Sequence, residues 1–248
     1  MLEVGRGLEP GGSCAALDRV AEQLDSVDPT ALAEGGRLAF WINLYNAALL
    51  HELCRHPRRG SLIRHRSIFR RSGYRVGGEE YTLDVIEHGL LRTNRRPPYG
   101  LRRPLRRGDA RLAAAPRRLD PRVHFALNCG ARSCPPVRSY SAERVGEELE
   151  SARRAYLAAE SGLDRESATL TLPGLVRLYR RDFGPVDEQV ALVMDVLGPG
   201  DAEWLRDKGE RLRVRYGRFD WTMARRPSDS AQRAAQAPGA PSDRRSNQ

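Results

Sequence analysis

Leu38-Ala-Phe-Trp-Ile-Asn-Leu-Tyr-Asn-Ala-Ala-Leu-Leu-His-Glu-Leu-Cys54 is apolar on nearly every face. A helix on a protein surface carries one apolar stripe, so a helix that is apolar all round belongs in the middle of a fold. The run is too short and too interrupted to span a bilayer, and no window of the chain reaches the 18 or so apolar residues a span needs. Asn43 and Asn46 lie three apart on one side of this cylinder. Buried amides must be hydrogen-bonded, so the pair is expected to fasten a loop or strand against the helix. His51, near the end, reads equally as an exposed residue or as a satisfied core histidine.

The flanking sequence supplies shorter elements. Residues 14–25 repeat apolar positions at helical spacing, and Asp28-Pro29-Thr30 looks like the opening of another helix. Gly73-Tyr-Arg-Val, Gly77-Gly78 and Glu79-Glu-Tyr-Thr read as a β-hairpin. Thr82 should cap a helix over 83–92, and the Arg- and Pro-rich residues 93–121 should form a long loop. Val123-His-Phe-Ala-Leu-Asn-Cys129 is the strongest strand candidate. A helix over 141–160, a strand over 168–172, helices near 174–182 and 187–197 and a strand over 212–216 complete the pattern. No internal repeat is visible. The expected fold is α+β, one domain over residues 10–225, with a small, mainly antiparallel sheet packed against helices around the buried central helix. Residues 226–248 turn to Ser, Pro, Gln, Ala and Arg and are expected to be disordered.

The 248 residues carry a formal charge of +10, and of 42 basic residues only Lys208 is not Arg. Residues 57–122 hold 18 Arg against 6 acids, so the excess sits in one segment. Arginines at 58, 59, 64, 66, 70, 71, 75, 95, 96, 102, 103, 106 and 107 are suited to phosphates. Near-total use of Arg for Lys also follows from a GC-rich genome, which explains the composition but not the clustering. Few aromatics interleave with these arginines, so base stacking is weak and nucleic acid is not the favoured partner. Four Cys in this length make no disulfide framework, which points to a reducing compartment. The first residues lack the apolar stretch of a secretory signal, so a cytoplasmic location is expected.

Chemistry concentrates in His124-Phe-Ala-Leu-Asn-Cys-Gly-Ala-Arg-Ser-Cys134. On a regular strand His124 and Asn128 share one face, and Cys134 on the following loop can return toward His124. On the helix over 83–92, Glu87 falls inside the apolar arc of Leu83, Ile86, Leu90 and Leu91, where a carboxylate needs a partner or a raised pKa. His88 points toward a flank of the same helix. A Cys beside a base that is oriented by a carboxylate or amide is the recipe for an activated thiolate. The set here is Cys134 or Cys129, His124, and Glu87 or Asn128. Zinc bound by both cysteines and His124, a redox pair, or plain core residues are the other readings. No cofactor or metal is expected.

Taken together, Ala39-Phe-Trp-Ile-Asn-Leu-Tyr-Asn-Ala47, Tyr81-Thr-Leu-Asp-Val-Ile-Glu-His-Gly-Leu-Leu-Arg92, Asp120-Pro-Arg-Val-His-Phe-Ala-Leu-Asn-Cys-Gly-Ala-Arg-Ser-Cys-Pro-Pro136, Tyr179-Arg-Arg-Asp-Phe-Gly184 and Tyr216-Gly-Arg-Phe-Asp-Trp221 resemble domain-of-unknown-function family 547. The likeness runs from about residue 15 to 223. The family's hallmark polar residues fall on Asn43, Asn46, Glu87, His88, His124, Asn128, Cys129 and Cys134. The order of a buried helix followed by a His-bearing strand also looks like a papain or transglutaminase-type core, an analogy at the level of fold. Against that analogy, the central helix begins with Asn43 where such cores place a Cys.

The expected activity is that of a cysteine-dependent hydrolase or acyl transferase acting on an amide or ester bond. His124 would be general base and Cys134 or Cys129 nucleophile, with Glu87 or Asn128 orienting the base. Asn43, Asn46 and His88 would brace the site, the two amides alternatively donating to an oxyanion. An anionic substrate would suit the arginines. The rival expectation is a non-catalytic binding module whose Arg-rich surface docks an acidic partner or nucleic acid. Neither expectation names an oligomeric state.

Overall fold

A computed structural model describes residues 14–224, so the expected disordered segment 226–248 and the outermost residues of the expected domain lie outside the described residues. The central helix is longer than its apolar run: α2 spans Glu34–Arg55, with Trp41, Ile42, Tyr45, Asn46 and Leu49 essentially inaccessible. α1 (Ala15–Glu22) is tied to its C-terminal end by Asp18, which bonds His51 and Arg55. His51 of α2 is buried and satisfied on both ring nitrogens, by Tyr74 Oη at 2.8 Å and Asp18 at 3.0 Å.

After a short helix, α3 (Ile68–Arg71), strands β1 (Gly73–Val76) and β2 (Glu79–Thr82) pair antiparallel around Gly77 and Gly78. Both glycines have positive φ, as a tight hairpin turn requires. Gly73 is also needed for closeness, because a Cβ there would lie 2.1 Å from the carbonyl oxygen of Tyr81. Thr82 Oγ1 accepts from the N–H of Val85, and a helix begins. Over Val85–Leu91 that helix is a π-helix, with Arg92 N–H bonded to the Glu87 carbonyl and Asn94 N–H to that of Gly89. The wider turn rotates each residue by less than the 100° of an α-helix. His88 is therefore completely buried beside Glu87 and does not lie on a flank.

The expected strand at 123–129 is a 3₁₀ turn over Pro121–Phe125. Asp120 accepts from the Arg122 N–H and Pro121 occupies the first position, a helix-start signature that outweighs the apolar run behind it. A continuously apolar segment reads alike as strand or helix when it is buried on all sides. This one is: Val123 and Ala126 belong to the core around α2, whereas Phe125 belongs to a second core.

That second core is built by α4 (Val145–Glu160), β3 (Gly162–Asp164), β4 (Thr169–Leu172), α5 (Gly174–Leu178), α6 (Val186–Met194), α7 (Pro199–Lys208) and β5 (Arg213–Tyr216). β4 pairs antiparallel with β3 and parallel with β5, the helices α5–α7 supplying the long crossover that a parallel pair needs. The fold is α+β, with one antiparallel hairpin and one mixed three-stranded sheet. α4 begins at Val145, later than the expected 141, and Ser141 instead bonds the Glu148 carboxylate through its N–H and hydroxyl. Among the described residues no helix is long and apolar enough to cross a membrane. The segment carrying His124 thus runs along the seam between the two cores.

Candidate functional site

The three asparagines are fasteners. Asn43 donates to the Tyr140 carbonyl at 2.7 Å and accepts from the Tyr140 N–H at 3.0 Å. Asn46 donates to the Ala126 carbonyl and accepts from the Asn128 N–H, both at 2.9 Å. Asn128 donates to the Pro135 carbonyl and accepts from the Gly130 N–H, each at 2.7 Å. Both ends of each amide are thus engaged by backbone.

Those bonds shape a tight loop from 128 to 135. Gly130 sits at φ +87°, which a residue with a Cβ adopts only under strain. The turn brings Cys134 back against Cys129, and the two form a disulfide; Cys14 and Cys54 form a second, tying the start of α1 to the end of α2. All four cysteines are paired, which corrects the expectation of free thiols and removes the basis for inferring a reducing compartment. The pairing also takes both sulfurs away from any zinc. The N–H of Cys129 points at Cys134 Sγ from 3.0 Å.

The side chain bonded to His124 Nε2 is Asp182, neither Glu87 nor Asn128. Its Oδ2 lies 2.9 Å from His124 Nε2 and 2.6 Å from Arg92 Nε, and its Oδ1 accepts from Arg95 at 2.8 Å. Burial opposes ionisation of Asp182, but the bonds from His124 and Arg92 outweigh it and hold the carboxyl well below its usual range. An ionised carboxylate only accepts, so the His124 proton sits on Nε2 and the Nδ1 lone pair is the free base. Burial, opposed by Asp182, lowers the pKa of His124 and keeps the ring neutral at neutral pH.

The π-helix adds a connected polar layer. Arg92 Nη1 donates to His88 Nδ1 at 2.9 Å, which fixes the His88 proton on Nε2, facing the Tyr99 hydroxyl at 3.2 Å. Tyr99 in turn donates to Asp84 at 2.6 Å. Desolvation takes His88 down to about 4 and Asp84 up to about 6. Glu87 accepts from the Tyr179 hydroxyl at 2.6 Å, and the Tyr179 ring stacks on His124 with centroids 3.7 Å apart. Burial works against charge on Glu87; the Tyr179 bond and the Arg92 charge prevail, and its pKa is lowered.

Glu87, His124, Cys129 and Cys134 all line one cavity of about 40 Å³, walled also by Tyr45, Leu175 and Trp221. That is room for about two or three water molecules. The four leading candidates thus share one cavity, while Asn43, Asn46, Asn128 and His88 do not line it. Asp182, Tyr179, Arg92, Tyr99 and Asp84 escaped the sequence reading as site residues. The motif Tyr179-Arg-Arg-Asp182 was the available signal for two of them.

No curated protein and no solved structure matches the chain. A family model described as "Protein of unknown function, DUF547" matches residues 29–157, slightly more than half of the chain. That segment contains every predicted site residue, from Asn43 to Cys134, while Asp182 lies beyond it. By this match the chain belongs to the DUF547 family.

Proposed function

We propose that the chain is a cysteine-dependent acyl-transfer enzyme, a hydrolase or acyl transferase acting on an amide or ester bond. The observation that carries the reading is the placement of His124, its Nε2 engaged by Asp182, in the same cavity as Cys129 and Cys134. A base whose proton is fixed by a buried carboxylate, lining the same cavity as a sulfur, supports reading that sulfur as a nucleophile. Cys134 is the nucleophile, because the Cys129 N–H that points at its sulfur favours a thiolate there. Glu87 acts as a positioning residue through Tyr179, which fixes the plane of the His124 ring.

The disulfide is the resting, oxidised form. A dithiol reductant delivers two electrons and two protons, leaves as its own disulfide, and frees both thiols. His124 Nδ1 then takes the Cys134 proton and the sulfur attacks the carbonyl carbon. The tetrahedral adduct collapses with its leaving amine or alcohol protonated by His124. Water or an acceptor nucleophile resolves the thioester and returns the proton to the starting arrangement.

The test is the alkylation rate of each cysteine by iodoacetamide after reduction, followed by mass spectrometry at neutral pH. Cys134 should react fastest, and His124→Ala should slow it to the rate of an ordinary thiol. Equal and ordinary rates for Cys129 and Cys134 in the unsubstituted chain would sink the proposal.

A further inference from the structure

The cavity at Cys134 is too small for a substrate, but it shares a wall with a larger groove. Leu178, Tyr179, Phe219 and Trp221 line it on one side and line a surface groove of about 790 Å³ on the other. That volume matches sites for small organic ligands. Six arginines line the groove and no carboxylate does, in a chain with 32 acidic residues.

Arg92 is buried and committed to Asp182 and His88. The other five, Arg96, Arg177, Arg180, Arg181 and Arg218, are exposed. Among the described residues no carboxylate lies within ion-pair distance of any of these five. They converge from three separate stretches of chain. Some arginines of the basic segment do have local counterions, Arg58 with Glu52, Arg75 with Asp25, Arg111 with Asp109 and Arg122 with Asp120. Bringing like charges together without counterions costs free energy, which a bound anion would reverse. Guanidinium forks match the geometry of phosphate and carboxylate. Leu101, Pro97 and Phe219 add apolar wall beside the charge.

We infer that this groove is the substrate's anion site: it takes an acyl compound with an apolar body and a phosphate or carboxylate head, whose acyl carbon reaches Cys134 past Tyr179 and Trp221. The inference rests on the thiol reading for the word substrate, and on the groove alone for the anion.

Binding is measured by calorimetry on the oxidised protein, which cannot turn over, with octyl phosphate, octanoate and 1-octanol as probes. Either charged probe should bind at least about tenfold tighter than octanol, and the tighter of the two names the head group. Arg177→Gln combined with Arg180→Gln should weaken the charged probes by about tenfold while leaving the thermal midpoint unchanged. In the reduced protein, octyl phosphate should slow alkylation of Cys134. Octanol binding as well as octyl phosphate, an unaffected double variant, or alkylation indifferent to bound probe would each overturn the inference. So would a single-stranded oligonucleotide that binds at lower concentration than either probe, which would assign the arginines to nucleic acid. A Cys134 that reacts slowly without any probe would overturn the thiol reading instead, with the binding arms still deciding the groove.

Discussion

Asp182 meets His124 across 58 residues of sequence, its Oδ2 lying 2.9 Å from Nε2 of the imidazole, with no exposed surface on the carboxylate side chain. The same oxygen accepts from Arg92. Asp182→Asn keeps the shape but leaves the Arg92 guanidinium buried beside a neutral amide. The expected cost is about 3 kcal/mol in urea unfolding at neutral pH. Because the folded-state pKa of Asp182 is depressed, its contribution is in place above the unfolded value of about 4 and lost as pH falls further. The deficit of the variant should therefore shrink in acid. A deficit unchanged by acid would mean that shape and not charge is responsible.

His51, His88 and His124 all have lowered pKa values through burial, so the unfolded chain takes up protons first and stability falls as pH drops below about 6.5. Asp84 works in the opposite sense. Raised to about 6, it binds its proton in the folded state before the unfolded chain does, and stability rises as pH falls from about 6 toward 4. Asp84→Asn removes that opposing term. The fall in stability between pH 6 and 4 should steepen by about 2 kcal/mol, read from urea midpoints across the range. An unchanged profile would show that Asp84 is ionised throughout.

The two disulfides should differ in weight. Cys14–Cys54 closes a separation of 40 residues and Cys129–Cys134 one of 5. On chain entropy the first constrains the unfolded state by about 4 kcal/mol and the second by about 2 kcal/mol. Cys54→Ala should therefore lower stability clearly more than Cys129→Ala, both measured under oxidising conditions. Equal losses would contradict this ordering.

Asn46→Ala should cost about 2–4 kcal/mol, because it leaves the Ala126 carbonyl and the Asn128 N–H without partners in the interior. Asn46→Asp retains the acceptor for the Asn128 N–H but replaces the donor to Ala126, and should recover little. Loss of the fastener should also loosen the 128–135 loop, seen as faster amide exchange at Gly130. Protection at Gly130 equal to that of the unsubstituted protein would separate the amide from the loop.

The elements legible in the sequence are those whose causes are local. The central helix follows from apolar residues on every side, the hairpin from Gly77-Gly78, and the cap at Thr82 from its own hydroxyl. Residues 123–129 form no strand: periodicity does not separate two buried conformations, and the Asp120-Pro121 pair decides for the turn. The extra helix Pro199–Lys208 went unseen because its apolar residues are few and its face shallow.

Four residues that gather in one cavity were legible too: Glu87, His124, Cys129 and Cys134 are polar or reactive in apolar surroundings, and they line it together. Their partners were not legible. Asp182 reaches His124 only because α5 and the turn after it pack against the seam where residues 121–127 divide the two cores. The pairing of Cys129 with Cys134 depends on a positive φ at Gly130 and on Asn128 folding the loop back. The arginines of the groove come from segments centred near 96, 179 and 218, and only their meeting turns a net charge spread along the chain into a concentrated positive field. Composition and pattern determine what a segment must bury or cap; which distant charges come to face one another is settled by how the segments close on each other.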